Sequence, residues 1–338
     1  MKYLKIVLIL AVMVLLLFFF FKDVNFKEVG NIVKDINPLY PIVFFIAHLF
    51  QYFIRAYRWG IILKPYKEKI PLMTLFDFTA IGFFLNFLPG RLGEPARGIL
   101  LARRENIDKS YGLASVVIER MIDFIMIILI FLVSLLFIES NHSTLLLQLK
   151  NLSFYILPII IVVFIMFYLI NLPRVFTIVE KIVIFFAKIV PQKIREKVVR
   201  FALNFLKGLK LKLPVIDFFK LFFSSLLVWL YLVGFYWFFM KAFNIHITFV
   251  ETIPYFSILV FFAAIPTPGM TGTIDLGSKL GLTQLYNVST DSAVAFTILL
   301  HVLLLLVWVV FGFAAIWRQG LSLKALKNIR EKDKDEMS

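Results

Sequence analysis

Eight apolar segments make up about half of this chain, and basic or Pro/Gly-rich stretches separate them. A helix needs about 20 mainly apolar residues to cross a bilayer, and most of these segments are near or above that length. Only 17% of the residues are charged, whereas a soluble protein of this size carries about 25%. The pattern therefore predicts an all-α polytopic membrane protein. The segments are Ile6–Phe21, Ile42–Leu63, Leu72–Leu88, Leu113–Ile138, Phe154–Leu172, Phe218–Phe243, Val250–Ile265 and Ala293–Trp317.

Lysine and arginine residues in the connections predict which segments cross the bilayer, because short cytoplasmic loops carry an excess of them. Lys2 and Lys5 place the N-terminus in the cytoplasm, and the basic residues after Ala293–Trp317 place the C-terminus there. Both flanks of Leu72–Leu88 are basic, so this short segment is expected to enter from the inner face and turn back. The flanks of Val250–Ile265 hold little basic charge, so it is expected to turn back from the outer face.

This topology has about six to eight transmembrane helices, including two re-entrant hairpins. It forms one transmembrane domain, residues 1–320, followed by a charged cytoplasmic tail, residues 321–338. Eight full spans are the alternative, which would place the basic loop 89–112 outside, against the charge rule. The expected location is the cell (plasma or inner) membrane, with both termini cytoplasmic.

The long basic stretch 173–217 is expected to be a cytoplasmic segment containing an amphipathic helix on the inner leaflet. A solvated linker helix is the alternative. The helical spacing gives an apolar face of Ile194, Val198, Phe201, Phe205 and Leu209, and a polar face of Lys193, Lys197, Arg200, Asn204 and Lys207.

Two loops share the pattern P-G-x-x-G, and each ends a short apolar segment. The first is predicted on the inner side and the second on the outer side, as in an inverted repeat whose broken helices meet near the midplane. Helix termination at interfacial loops is the alternative explanation. The loop-forming residues are Asn86, Pro89, Gly90 and Gly93 in the first loop, and Pro268, Gly269 and Gly272 in the second.

Charged residues also lie inside the apolar segments, where each costs roughly 2.5–3.5 kcal/mol on insertion scales. His48, Gln51, Arg55 and Arg58 form one polar stripe on a helix. Arg58 is near the predicted cytoplasmic end, where it either snorkels or joins Arg55 in binding an anionic headgroup.

The segment Leu113–Ile138 contains Glu119, Arg120 and Asp123 at helical spacing. These residues either pin two helices together as buried ion pairs or complete a phosphate-binding cavity with Arg91 and Arg97. His301 lies inside the last segment, where a hydrogen-bonded core residue or a proton relay fits the pattern.

Several kinds of site are not expected. The chain has no cysteine and four histidines without metal-ligand spacing, so no metal site or cofactor is predicted. It has no nucleotide-binding P-loop motif. The formal net charge of +15 is assigned to cytoplasmic loops and anionic headgroups rather than to nucleic acid.

The chain carries three spaced motifs: Asn86-x-x-Pro89-Gly90-x-x-Gly93-Glu94-x-x-Arg97, Glu119-Arg120-x-x-Asp123 and Pro266-x-Pro268-Gly269-x-x-Gly272-x-x-Asp275. Over roughly residues 1–320, they resemble the flippase-like transmembrane domain of lysylphosphatidylglycerol synthases. Two positions depart from that family's usual pattern, which has a second glycine at Met270 and glutamate at Asp275. The resemblance implies movement of polar-headed lipids between leaflets. Because the soluble synthase domain would follow the membrane part and the sequence ends at Ser338, no enzyme activity is expected.

The function expected from these features is a flippase-like protein that moves or binds an anionic or aminoacylated phospholipid, or a polyprenyl-phosphate lipid. Its partners would be lipids with phosphate headgroups; a homo-oligomer or a partner lipid-modifying enzyme is left open. Two alternatives remain: a membrane accessory or enzyme of lipid-linked glycan or lipid modification that uses Glu119 and Asp123, and a non-transporting scaffold that works through helix 193–210. The expected substrate-binding residues are Arg55, Arg91, Glu94, Arg97, Glu119, Arg120, Asp123 and Asp275.

Overall fold

A computed structural model of the protein describes residues 2–87, 93–138, 192–208 and 213–321, with short stretches and single positions between 144 and 177. Within these ranges the chain forms helices and the turns that join them, and no strand. The helices are α1 (Lys2–Phe21), α2 (Phe26–Lys34), α3 (Leu39–Leu63), α4 (Leu72–Leu85), α5 (Gly93–Glu105), α6 (Lys109–Phe137), α7 (Gln192–Gly208), α8 (Val215–Met240), α9 (Phe249–Ala263), α10 (Thr273–Tyr286) and α11 (Thr290–Arg318).

Four of these helices, α3, α6, α8 and α11, are long and apolar enough to cross a membrane. Helices α1 and α2 together would make a fifth span, broken by a bend of 81°. The predicted all-helical, multi-pass class is therefore confirmed. The predicted number of spans stays a prediction, because segment Phe154–Leu172 lies almost entirely outside the described residues.

Helices α4 and α9 are apolar but short, with 14 and 15 residues. At about 1.5 Å per residue they cover roughly 21–23 Å, less than the hydrocarbon core of about 30 Å. Each is followed by a loop and a second short helix, and then by a long one. Consequently, the order long, short, short, long occurs twice, with 25, 14, 13 and 29 residues in α3–α6 and 26, 15, 14 and 29 in α8–α11.

The two four-helix sets pack against each other reciprocally. Helix α4 of the first set packs on α11 of the second, α9 of the second packs on α6 of the first, and α3 packs on α8. Aromatic side chains fill the α3–α8 interface, where the Phe44 ring centroid lies 5.1 Å from that of Phe235 and 4.7 Å from that of Phe239. The core is therefore shared between the two sets rather than enclosed within either.

Polar caps fix where the second pair of short helices begins. At the start of α9, the Thr248 hydroxyl accepts the Glu251 N–H at 3.2 Å, and the Glu251 carboxylate accepts the Thr248 N–H at 2.7 Å. At the start of α10, the Asp275 carboxylate accepts the Gly272 N–H at 2.7 Å. Gly272 has a φ of 82°, a backbone conformation that favours glycine. The second P-G-x-x-G loop therefore ends in a defined helix start.

The predicted amphipathic helix of the basic stretch is present as α7, which packs against α6. The Asn204 side chain donates a hydrogen bond to the Asp108 carboxylate, with 3.2 Å between the atoms. Phe201, by contrast, is 42% exposed. Part of the polar face thus contacts protein, and the predicted position of α7 on the inner leaflet stays a prediction.

Candidate functional site: a buried arginine cluster

The polar stripe predicted on α3 faces the interior of the helix bundle. His48, Gln51 and Arg55 are 3–5% exposed, and Arg58 is completely buried. Of the two alternatives for Arg58, snorkelling to the membrane surface does not fit this burial. Its guanidinium turns inward because α6 presents two carboxylates to it, one helical turn apart, and buried charges are stable only when they are paired.

Glu119 on α6 is the centre of this arrangement, since its side chain is fully buried and its two shortest ion pairs are to arginines of other helices. One carboxylate oxygen accepts from Arg58 Nη2 and the other from Arg97 Nη2 on α5, both at 2.7 Å. Asp123 accepts from Arg58 Nη1 at 2.5 Å and from Arg55 Nη1 at 3.4 Å. Three helices, α3, α5 and α6, are therefore joined through two carboxylates.

Arg120 extends the cluster toward the protein surface. Its Nη2 lies 2.8 Å from Asp123 Oδ2, and its Nε lies 3.3 Å from Glu94 Oε2 on α5. The Arg120 side chain is 38% exposed, unlike the arginines behind it. We call the set of Arg55, Arg58, Arg97, Arg120, Glu94, Glu119 and Asp123 the arginine cluster; it holds four guanidinium groups and three carboxylates.

Aromatic faces and one glycine hold the inner arginines in place. The Arg97 guanidinium lies over the Trp59 ring at 4.6 Å from its centroid, and Trp59 donates to the Ser115 hydroxyl at 2.9 Å. A cation over an aromatic face is stabilised by the ring quadrupole. A Cβ at Gly82 would lie 2.7 Å from Arg97 Cδ, so glycine leaves the space through which the arginine reaches Glu119.

A narrow crevice enters the arginine cluster between α3, α4 and α5. Arg55, Asn86, Arg97 and Arg120 are among its lining residues. Arg55 Nε and Asn86 Oδ1 are buried and have no hydrogen-bond partner among the described residues. The crevice therefore contains a donor and an acceptor that the described residues leave without a partner, although buried polar groups are usually paired.

An apolar groove of about 380 Å³ runs along α6 from Arg120 and Glu94. Two of its residues, Val117 and Phe124, are 38% and 50% exposed. The charged end of the groove is continuous with the arginine cluster through Arg120. Its remaining lining residues are apolar: Pro95, Leu113, Val116, Val117, Met121 and Phe124.

The second P-G-x-x-G loop reaches the end of α4. The Gly269 N–H donates to the Asn86 carbonyl at 3.1 Å, so the end of α4 and the second loop are in direct contact. Pro89, Gly90 and Arg91 of the first loop lie outside the described residues. Met270, which stands where the resembled family usually has glycine, has a φ of 60°. This is the left-handed region that glycine adopts without a steric cost.

Asp275 lies apart from the arginines with which the sequence grouped it. Besides capping α10, its carboxylate lies 2.7 Å from His301 Nδ1 on α11. The other ring nitrogen of His301 lies 3.1 Å from the Gly269 carbonyl oxygen. Among the described residues, no ion pair joins Asp275 to an arginine. Asp275, which the sequence analysis placed among the substrate-binding residues with the arginines, therefore lies against His301 instead.

Spanning helices around buried ion pairs, with an apolar groove at the charged opening, define a multi-pass α-helical membrane protein with a polar interior. The chain belongs to the family of the lysylphosphatidylglycerol synthase TM region, whose model matches residues 4–312. The chain is also similar to the UPF0104 membrane protein MJ1595 of Methanocaldococcus jannaschii, with 26% identity over 103 residues, 30% of this chain and 31% of that protein. No solved structure matches the chain.

Proposed function

We propose that the arginine cluster binds the phosphate of an anionic lipid headgroup and that the protein moves this lipid between leaflets. The observation that carries the proposal is the charge of the cluster: four guanidinium groups against three carboxylates leave one positive charge in a mostly buried site. A phosphodiester carries one negative charge. It would neutralise that excess through charge-assisted hydrogen bonds, for which arginine is the best-suited side chain.

The apolar groove supports a lipid rather than a free anion as the ligand. A phosphate at Arg120 would place the glycerol and one acyl chain along α6, against Val117, Met121 and Phe124. Glu94 lies beside Arg120 at the same end, 3.3 Å away, where it would accept hydrogen bonds from a hydroxyl or amine of the headgroup. Phosphatidylglycerol and its aminoacylated forms meet both requirements.

The duplicated helix order supports a transport mechanism. We propose that α4–α5 and α9–α10 are re-entrant hairpins of two inverted halves that enter from opposite faces and meet at the Gly269–Asn86 hydrogen bond. Reciprocal packing of α4 on α11 and of α9 on α6 is what two halves related by a two-fold axis would give. Substrate sites in such transporters lie at the interface between the halves. On this proposal both termini are cytoplasmic, the location is the cell membrane, and no covalent bond of the lipid changes.

Reconstitution of the full chain into vesicles with fluorescent phosphatidylglycerol tests the proposal, because an added quencher reports the fraction of lipid in the outer leaflet. The protein is expected to make the inner-leaflet lipid accessible, and Arg97→Gln is expected to slow this at least tenfold. Arg104→Gln removes an exposed charge from the same helix, α5, and serves as the matched control. Equal rates in protein-containing and protein-free vesicles would refute the proposal.

A further inference from the structure

Both ring nitrogens of His301 face hydrogen-bond acceptors. Nδ1 lies 2.7 Å from Asp275 Oδ1, and Nε2 lies 3.1 Å from the Gly269 carbonyl oxygen. A neutral imidazole has one N–H, so it can satisfy only one of these acceptors, whereas the imidazolium satisfies both. His301 and Asp275 are 7% and 4% exposed, so water does not readily replace either bond.

The remaining charged groups on the helices around α11 either have other partners or are exposed. Asp77 of α4 binds Arg318, Lys279 of α10 donates to carbonyls at the end of α1, and the α3 arginines bind the carboxylates of α6. Lys241 lies over the Trp237 ring, and the charged side chains of α2 are its exposed Lys27, Glu28 and Lys34. Asp275 is therefore the charged group that contacts the His301 ring, and it is the counter-charge of the imidazolium.

We propose that His301 and Asp275 form a proton-binding site and that the proton it holds is coupled to lipid movement. The link is the Gly269 residue. Its carbonyl accepts from His301, and its N–H donates to the Asn86 carbonyl beside the arginine cluster. When a water-borne proton adds to one ring nitrogen, both bonds of the ring form and the second loop is held against α4. Loss of that proton to water removes one bond and frees the loop. The coupling, though not the proton site, rests on the proposed lipid transport.

Histidine-selective nitrogen NMR of the full chain in lipid nanodiscs tests the proton site without measuring transport. The chain has four histidines, and the signal that His301→Gln removes identifies His301. At neutral pH we expect both His301 nitrogens to carry a proton in the wild type. In Asp275→Asn we expect a neutral ring, because the counter-charge is gone. A neutral His301 ring in the wild type at neutral pH would overturn the site.

A vesicle experiment tests the coupling. The rate of fluorescent phosphatidylglycerol movement is measured with and without an imposed pH difference. In the wild type this rate is expected to change severalfold. The glutamine in His301→Gln keeps a side-chain N–H donor but cannot carry a charge. The rate of lipid movement in this variant is therefore expected to be the same with and without the pH difference. His48→Gln is the matched control, since His48 is buried too but has one ring nitrogen near a carbonyl, 3.2 Å from Phe44. An undiminished response in His301→Gln would overturn the coupling. Absence of lipid movement in every protein would instead overturn the proposed transport, while the NMR result would still decide the proton site.

Discussion

Arg58 of α3 and Glu119 of α6 form an ion pair with 2.7 Å between Nη2 and Oε1, and neither side chain has any exposed surface. Glu119 binds Arg97 with its other oxygen. The same carboxylate that balances the α3 arginine therefore positions the α5 arginine at the crevice. Loss of either partner would leave a buried charge without a counter-ion, which is far more costly than the loss of a surface ion pair.

Replacement of Glu119 by glutamine is expected to destabilise the protein by about 3–5 kcal/mol, because the inner arginines lose their shared counter-charge. One end of the glutamine amide would also point a donor at an arginine donor. Thermal unfolding in detergent measures the effect, with the loss of the monodisperse protein peak as the readout.

Glu68→Gln is the control for that variant, since Glu68 is exposed in the loop after α3. Its effect is expected to stay within about 0.5 kcal/mol. Similar unfolding temperatures for the Glu119 and Glu68 variants would show that the buried ion pairs do not stabilise the fold.

The backbone of Gly93, at the start of α5, touches α4. A Cβ there would overlap the Gly82 carbonyl oxygen and lie 2.6 Å from Asn86 Oδ1. Gly93→Ala is therefore expected to push α5 away from α4 and to lower the yield of folded protein severely. Gly30→Ala is the matched substitution, because nothing lies within 4 Å of a Cβ at Gly30. Folded yield by size-exclusion chromatography distinguishes them, and equal yields would contradict the close contact.

Asp108 precedes α6 and accepts hydrogen bonds from Ser110 and from Asn204 of α7. Burial opposes the ionised form, but these bonds outweigh it and hold the pKa of Asp108 below its usual value. Because the folded pKa is lowered, the contribution of Asp108 to α7 docking is present at neutral pH and is lost as the pH falls through that pKa.

A spin label on a cysteine introduced at Arg200 measures this docking, since the chain has no native cysteine. The label is expected to become more mobile in acid, and Asp108→Ala is expected to show that mobility already at neutral pH. A label whose mobility is the same in Asp108→Ala and in the wild type at neutral pH would contradict the docking contact.

Seven of the apolar segments predicted described helices to within a few residues, because a chain in lipid must pair its backbone groups internally and a helix does so. Helices α2, α5 and α10 are not continuous apolar runs, and the segments missed them. The segment Leu72–Leu88 became α4, Leu72–Leu85, and Val250–Ile265 became α9, Phe249–Ala263. Periodicity also placed Arg55 on one polar stripe of α3, and in the structure this stripe faces the interior. These are local properties of the chain, and the sequence contains them.

The partners of each charge could not be predicted, because they depend on how helices distant in sequence pack. Snorkelling was one of two alternatives for Arg58, yet α6 provides two carboxylates that bind its guanidinium. Arg318 was assigned to membrane topology, but it binds the buried Asp77 of α4 with Nε at 3.0 Å. Asp275 was grouped with the arginines although it lies against His301. Asp77 is a charged residue inside an apolar segment, but its partner Arg318 follows only from the contact between α4 and α11.

Lipid binding to the arginine cluster tests the account most directly. Native mass spectrometry of the detergent-solubilised protein would measure its affinity for phosphatidylglycerol, with diacylglycerol as the lipid that lacks a phosphate. Loss of one charged hydrogen bond costs about 1.5–3 kcal/mol, so Arg120→Gln is expected to weaken phosphatidylglycerol binding by about tenfold or more. Arg104→Gln should bind like the wild type, and diacylglycerol binding should not distinguish the three proteins. Equal phosphatidylglycerol affinities for the Arg120 and Arg104 variants would contradict the arginine cluster as the headgroup site.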